Sequence, residues 1–407
     1  MSRRIAPIAV LFVIVGVAVS AAGATPKTHV KAASSHLLVG INDEADTLYG
    51  NPVAGFAALK ALKAQVLRVN LYWGGNQWAV SRGARPTDPT DPGDPAYNWS
   101  IYDRLVRYAA TYDVKIVFSV LFTPAWANGG KARTVAPTDP KELQDFAFAA
   151  ATRYSGYYIP PQWQQQPTLA PATSPLPAVT MWTAWNEPNN PIWLSPQYIR
   201  SGGKWVIESA IQYAKICNAV YQGVHSATIA PLRPIPGEQV ACGVTGPKGN
   251  DAPGTARASV DPISFLTAAK KAGMATFDVY AHHPYYAAPN ESPTYVPGGN
   301  QKRRIQLGNI NTLLAEVTKL YGPKHLWITE YGYQTNPPDK TFGVSYAKQA
   351  EWLTQAYSIA RKNPRIDMML WFLIKDEPSL GGWQSGLETV TGKKKPAWAA
   401  FLRVPRG

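Results

Sequence analysis

The sequence predicts an α/β fold, a closed (β/α)8 TIM barrel in a single domain with long Pro-rich loops. Three observations point there. Short β-rich runs alternate with helical patterns from about residue 37 to the end, and eight such pairs can be counted. The strand runs are continuously apolar rather than alternating, as expected when both faces of a strand are covered. The chain of 407 residues is long enough for one barrel, and with 45% hydrophobic and 16% charged residues it can bury a large core, which excludes a disordered chain. A doubly wound open sheet is the competing architecture.

The elements follow in order. Arg3 and Arg4 precede an uncharged apolar run over 5–19, and Ala22, Gly23 and Ala24 offer an A-x-A-like cleavage site. Residues 1–24 therefore read as a signal peptide, and a secreted, extracellular protein is expected. A membrane anchor with an extracytoplasmic domain is the alternative, because no charge occurs between Arg4 and Lys27 and a span needs roughly 20 residues. Residues 25–36 read as a linker and 37–407 as the barrel domain. The strands are placed at 37–42, 66–72, 114–121, 179–185, 239–244, 276–281, 326–330 and 368–373. The helices are placed at 53–64, 100–112, 141–154, 203–224, 262–271, 305–321, 346–362 and 396–402. Asn98 before Ser100, and Asp261 before Pro262, are suitable helix starts. Three long connections, 85–97, 156–177 and 284–301, are rich in Pro with Asp, Gln, Tyr or Gly. The first and third are expected to border a cleft, and the second to lie on the opposite side as a linker or outer wrap.

The two cysteines, Cys217 and Cys242, exclude a disulfide-dense scaffold and a Cys-based zinc site. One disulfide or two buried thiols both remain open. The formal charge of +14 makes the surface basic, but Lys and Arg are scattered, with short runs only at Lys302, Arg303, Arg304 and at Lys393, Lys394, Lys395. A basic surface can gather an anionic polymer; no nucleic-acid partner is expected.

Two strand ends carry carboxylates. Trp185, Asn186, Glu187, Pro188 and Asn189 stand where the fourth strand run stops, and Trp327, Ile328, Thr329, Glu330, Tyr331 and Gly332 where the seventh does. In a barrel this places Glu187 and Glu330 at the C-terminal mouth, where catalytic groups gather. Alternation puts Leu326, Ile328 and Glu330 on one side, so that Glu330 caps the barrel interior. Two carboxylates at one mouth suit glycosidic cleavage, in which one holds a proton for the leaving oxygen and the other stays ionised.

With these residues the chain resembles the clan of retaining barrel glycosidases that includes families 5 and 39. In that clan an Asn-Glu pair ends the fourth strand and a Glu ends the seventh. The resemblance implies a retaining glycoside hydrolase acting on a β-linked poly- or oligosaccharide through a covalent glycosyl-enzyme intermediate. Glu187 would be its acid/base, Glu330 its nucleophile, and Asn186 a partner of the sugar 2-hydroxyl. Arg68, within Val66 to Asn70, looks like the arginine that steadies the nucleophile. His283 and Tyr285 resemble a His-x-Tyr pair beside it, although His282 competes for the first position. Trp371 looks like the platform beneath the sugar, and Trp126 like the wall of a neighbouring subsite. Ser385 to Leu387 and Lys395 to Ala397 extend the likeness over roughly 37–403.

Simpler roles compete: a structural ion pair for the carboxylates and Arg68, and core packing for Trp126 and Trp371. A metal pair at His282 and His283 is disfavoured, since adjacent strand residues face opposite ways. No G-x-S-x-G elbow, Walker loop or early G-x-G-x-x-G is present, and no cofactor is suggested. The expected partner is a β-glycan, neutral or anionic, bound by a monomer. A catalytically silent polysaccharide-binding barrel and a transglycosylase on the same scaffold are the alternatives.

Overall fold

The computed structural model describes residues 37–161, 174–229 and 233–406. The segments read as signal peptide or anchor (1–24) and linker (25–36), and the centre of the second long connection (162–173), lie outside the described residues. Among the described residues no helix is long and apolar enough to cross a membrane.

Eight parallel strands close into a barrel: β1 (Leu38–Asn42), β2 (Val66–Tyr72), β3 (Lys115–Leu121), β4 (Met181–Ala184), β5 (Gln239–Thr245), β6 (Val279–His282), β7 (His325–Tyr331) and β8 (Ile366–Phe372). Neighbours follow chain order, and β1 pairs with β8 from Leu38 against Met368 to Asn42 against Phe372, so no edge stays open. Closure excludes the doubly wound sheet. The helices between and after them are α1 (Pro52–Ala61), α2 (Ser100–Thr111), α3 (Pro140–Arg153), α4 (Glu208–Ser226), α5 (Pro262–Lys271), α6 (Ile310–Tyr321), α7 (Tyr346–Lys362) and α8 (Pro396–Arg403).

Local chemistry starts several of these helices. Asn51, Asp139 and Asp261 each accept backbone N–H groups of the first turn, and each precedes a Pro whose missing N–H belongs to that unsatisfied set. Asn98 acts one residue early, its Oδ1 accepting the Ser100 N–H at 3.1 Å. Strand alternation separates two apolar layers. Val66, Val117, Met181, Trp327, Met368 and Leu370 pack together inside the barrel, while Leu67, Phe118, Trp182, Leu326, Ile328 and Met369 pack outward against the helices.

The stretch around 203 differs from expectation. Instead of a helix start it forms a hairpin, Tyr198–Ser201 with Lys204–Ile207, turned by Gly202 and Gly203 at φ 55° and 77°. Two successive positive-φ residues suit a tight hairpin turn whose twist matches its strands. The 85–97 connection also behaves differently. Arg153 donates to Pro92 O at 2.9 Å and pairs with Asp103 on α2, and Arg85 meets Glu142 on α3, so this loop is pinned to the barrel's flank. Cys217 on α4 and Cys242 on β5 are joined in a disulfide.

Candidate active site

The end of β4 is bent into place. Trp185 and Glu187 have φ of 72° and 35°, conformations that branched or bulky L-residues rarely adopt and that cost on the order of 1–3 kcal/mol each. Hydrogen bonds hold them there. The Trp185 indole N–H donates to Trp193 O at 2.8 Å, and the Glu187 N–H donates to Val244 O at 2.9 Å. Asn189 is fully buried and ties this loop to the one after β5, accepting the Gly246 N–H at 2.8 Å and donating to Val260 O at 2.9 Å. A Cβ on Gly246 would sit 3.1 Å from the Glu187 carboxylate, so a larger residue there would push on that side chain.

Glu330 reaches the mouth by a different device from the one expected. Leu326 and Ile328 face the helices, while Trp327 fills the interior. Strict alternation would therefore turn Glu330 outward. Between Ile328 and Tyr331, however, β7 advances three residues while β8 advances two, from Met369 to Trp371. This extra residue is a bulge, which re-aims Glu330 towards the mouth beside Thr329 and leaves Tyr331 in the outer cluster.

Arg68 on β2 organises what meets there. It is buried, and its Nη1 lies 2.5 Å from Glu330 Oε1. Its Nη2 donates to Asn186 Oδ1 at 2.7 Å and to Ser119 Oγ on β3 at 2.8 Å. Tyr285 Oη donates to Glu330 Oε2 at 3.2 Å. Burial pushes the Glu330 carboxyl up, but attraction to His283 and Arg68, with the hydrogen bonds from Arg68 and Tyr285, outweighs it and leaves the group below its ordinary value.

The two histidines separate cleanly. His283 bridges the site, with Nδ1 at 3.0 Å from Glu187 Oε1 and 3.7 Å from Glu330 Oε2, and Nε2 at 2.9 Å from Thr329 Oγ1. His282 points away, between Thr245 Oγ1 at 2.8 Å and Ile305 O at 3.0 Å; burial brings it down to about 3, so it stays neutral. One oxygen of Glu187, one nitrogen of His283 and one oxygen of Glu330 lie within 4.8 Å of one another. A cation would fit these donors by distance, yet the Arg68 guanidinium already supplies positive charge on Glu330.

Six of the eight residues singled out from sequence thus come together: Glu187, Glu330, Arg68, Asn186, His283 and Tyr285. Trp371 does not join them. It is fully buried on the outer side of β8, because Met368 and Leu370 occupy the inward positions, and its N–H donates to Ser385 O at 2.8 Å. Two other rings, Trp383 and Phe372, stand beside Tyr285 near the mouth, with Trp383 5.2 Å from Tyr285 and 5.3 Å from Phe372 between ring centres. Trp126 also stands apart: its indole donates to Ser81 Oγ at 3.0 Å and its ring meets Trp73 edge-on.

A further carboxylate, Glu44, went unpredicted. It follows β1 and accepts from the Asn70 N–H at 2.6 Å, Tyr72 Oη at 2.8 Å and Tyr49 Oη at 2.5 Å. Burial raises its pKa against these bonds. The signal was present, since Glu44 follows an apolar strand run just as Glu187 does. Beside these groups opens a cavity of about 670 Å³, walled by Glu187, Tyr285, Tyr286 and residues of the loops after β5, β7 and β8. The 284–301 connection borders it as expected; the 85–97 connection contributes nothing to its wall.

Similar architecture occurs in solved structures. A family 39 glycoside hydrolase from Bacteroides cellulosilyticus WH2 matches 93% of this chain with a TM-score of 0.57 at 17% identity, and 65% of its own length is covered. A glucosidase from Croceicoccus marinus matches 92% with a TM-score of 0.60 at 14% identity, and 66% of it is covered. This chain therefore spans about two thirds of those two proteins. A GH5-4 broad specificity endoglucanase from Clostridium acetobutylicum matches 90% with a TM-score of 0.51 at 13% identity, and 96% of it is covered. The likeness is one of fold. No protein-family model and no curated protein matches the sequence.

Proposed function

We propose that the chain is a retaining glycoside hydrolase that cleaves β-linked carbohydrate, with the expected poly- or oligosaccharide as one such substrate. One observation carries this reading: two carboxylates with oxygens within 4.8 Å of each other stand in unlike surroundings. Retention calls for roughly 5–5.5 Å between carboxyl groups, whereas inversion needs a wider gap for water. Glu330, held by Arg68 and Tyr285, suits the nucleophile. Glu187 opens onto the cavity and suits the acid/base.

The reaction follows from these positions. The Glu330 carboxylate attacks the anomeric carbon while the bond to the leaving oxygen breaks, and Glu187 gives its proton to that oxygen. Water then enters, Glu187 takes a proton from it, and the hydroxyl attacks the anomeric carbon and frees Glu330. Asn186 accepts from Arg68 through Oδ1, which leaves its NH₂ as a donor for the sugar 2-hydroxyl. The fold shared with family 39 and family 5 hydrolases supports the assignment.

A panel of aryl β-glycosides and polysaccharides tests it, with proton NMR of the first anomer released. Glu330→Gln is expected to abolish turnover in a folded protein. Glu187→Ala should keep measurable cleavage of aryl glycosides whose leaving group needs no proton, while losing the others. Inverted product, or full activity in Glu330→Gln, removes the proposal.

A further inference from the structure

Ten large hydrophobic side chains are exposed among the described residues, and four of them, Ile192 (68%), Phe342 (45%), Leu380 (68%) and Trp383 (37%), line the one cavity beside Glu187. Single exposed apolar residues on a surface mean little; convergence at a concavity marks a binding surface. The four come from loops after β4, β7 and β8, so it is the closed barrel that brings them together.

Their chemistry narrows the occupant. A flat ring such as Trp383 can face a sugar or an aryl group, but the branched Ile192 and Leu380 offer no platform for a pyranose and gain most by covering hydrocarbon. Lys248 and Arg257 also line the cavity; Arg257 is exposed, so its charged head can stay in water, whereas burial holds the Lys248 amine below its ordinary value. One oxygen of Asp339, Oδ1, accepts the Thr341 and Phe342 N–H groups. At the ends of β1 and β2 the mouth is different: Glu44, Asn70 and Tyr72 form a hydrogen-bonded set suited to hydroxyl groups.

We infer that the substrate is a β-glycoside of an apolar aglycone, an alkyl or aryl body seated against Ile192, Phe342, Leu380 and Trp383. The sugar lies towards Glu44 and the scissile oxygen lies at Glu187. This deepens the glycosidase reading and rests on it, because Glu187 is the group that protonates the leaving oxygen and its carboxylate forms part of this cavity's wall.

Methyl, butyl and octyl β-glucosides, β-xylosides and β-galactosides test it, since their leaving alcohols differ little in acidity and much in apolar area. For the sugar that is cleaved, kcat/KM should rise about ten-fold or more from methyl to octyl. The double variant Ile192→Ser, Leu380→Ser should lose most of that gain through KM, with a several-fold smaller change on the methyl glycoside than on the octyl glycoside. A flat series, or equal loss on methyl and octyl substrates, overturns the aglycone assignment and leaves the hydrolytic reading standing. If no glycoside is cleaved, the reaction itself fails, and calorimetric titration of octyl against methyl glycoside still decides: tighter binding of octyl that the double variant loses supports the apolar seat, and equal binding ends it.

Discussion

Arg68 touches Glu330, Asn186 and Ser119 at once, and so couples the two strand ends that carry the chemistry. It acts as a positioning residue. A lysine would keep the charge but lose the planar fork that reaches three partners. Because Arg68 helps hold Glu330 below its ordinary value, removing that help should raise the nucleophile's pKa. Arg68→Gln, which removes the charge as well as the fork, is therefore expected to lower kcat and shift the acid limb of the kcat/KM profile to higher pH. An unmoved acid limb would show that Arg68 only packs. For stability the sign runs the same way: the pairing of Glu330 contributes above its unfolded pKa and is lost as pH falls through the folded one. At this scale the motif residues were legible because carboxylates are conspicuous at the end of apolar runs. Trp371 misled, since its type suits both a sugar platform and a core, and only its inside-or-outside placement on β8 separates the two.

Elements reached the right number and order from pattern alone, because continuous apolar runs, Asn- or Asp-capped helix starts and Pro at the first helical turn are local signals. The departures came where one residue changes the register. The β7 bulge is invisible in composition, yet without it Glu330 would face the helices. The Gly202 and Gly203 hairpin replaced a helix start for a similar reason, as two glycines adopted a turn that helical periodicity does not encode. The disulfide belongs to this scale too, joining α4 to β5 across a separation of 25 residues. Replacing both partners, Cys217→Ser with Cys242→Ser, should destabilise the fold by roughly 3 kcal/mol. Thermal unfolding with and without reductant would measure it, and identical midpoints for the two proteins would refute the expectation.

Across the whole molecule, the site exists only after closure. Arg68, Ser119, Glu187, His283 and Glu330 come from five strands and the loops that follow them, spread over more than half of the chain, and hydrogen bonds among them span up to 262 residues. The same breadth governs the response to acid. With a formal charge of +14 at neutral pH, protonating carboxylates adds to an existing self-repulsion, which salt screens. His282 contributes separately. Its folded pKa is depressed to about 3 from 6.5, so its share of stability is complete above the unfolded value and is lost as pH falls towards the folded one. The melting temperature should thus fall as the solution is acidified, less steeply at high salt than at low. His282→Gln should melt lower at neutral pH but show a shallower acid decline. Curves that superimpose at both ionic strengths would discount the charge term.

By itself the sequence determined the eight strand and helix pairs, their order and the identity of the two strand-end carboxylates, because burial pattern, capping and residue type are properties of short stretches; closure of the sheet into a barrel was decided by the pairing of β1 with β8. Tertiary structure alone decided that His283 rather than His282 faces the carboxylates, that Glu330 turns inward and Trp371 outward, and that Glu44 and the apolar rim flank the site. Each of these depends on strand register and on loops meeting across the mouth, relations between segments distant in the chain that a local pattern does not contain.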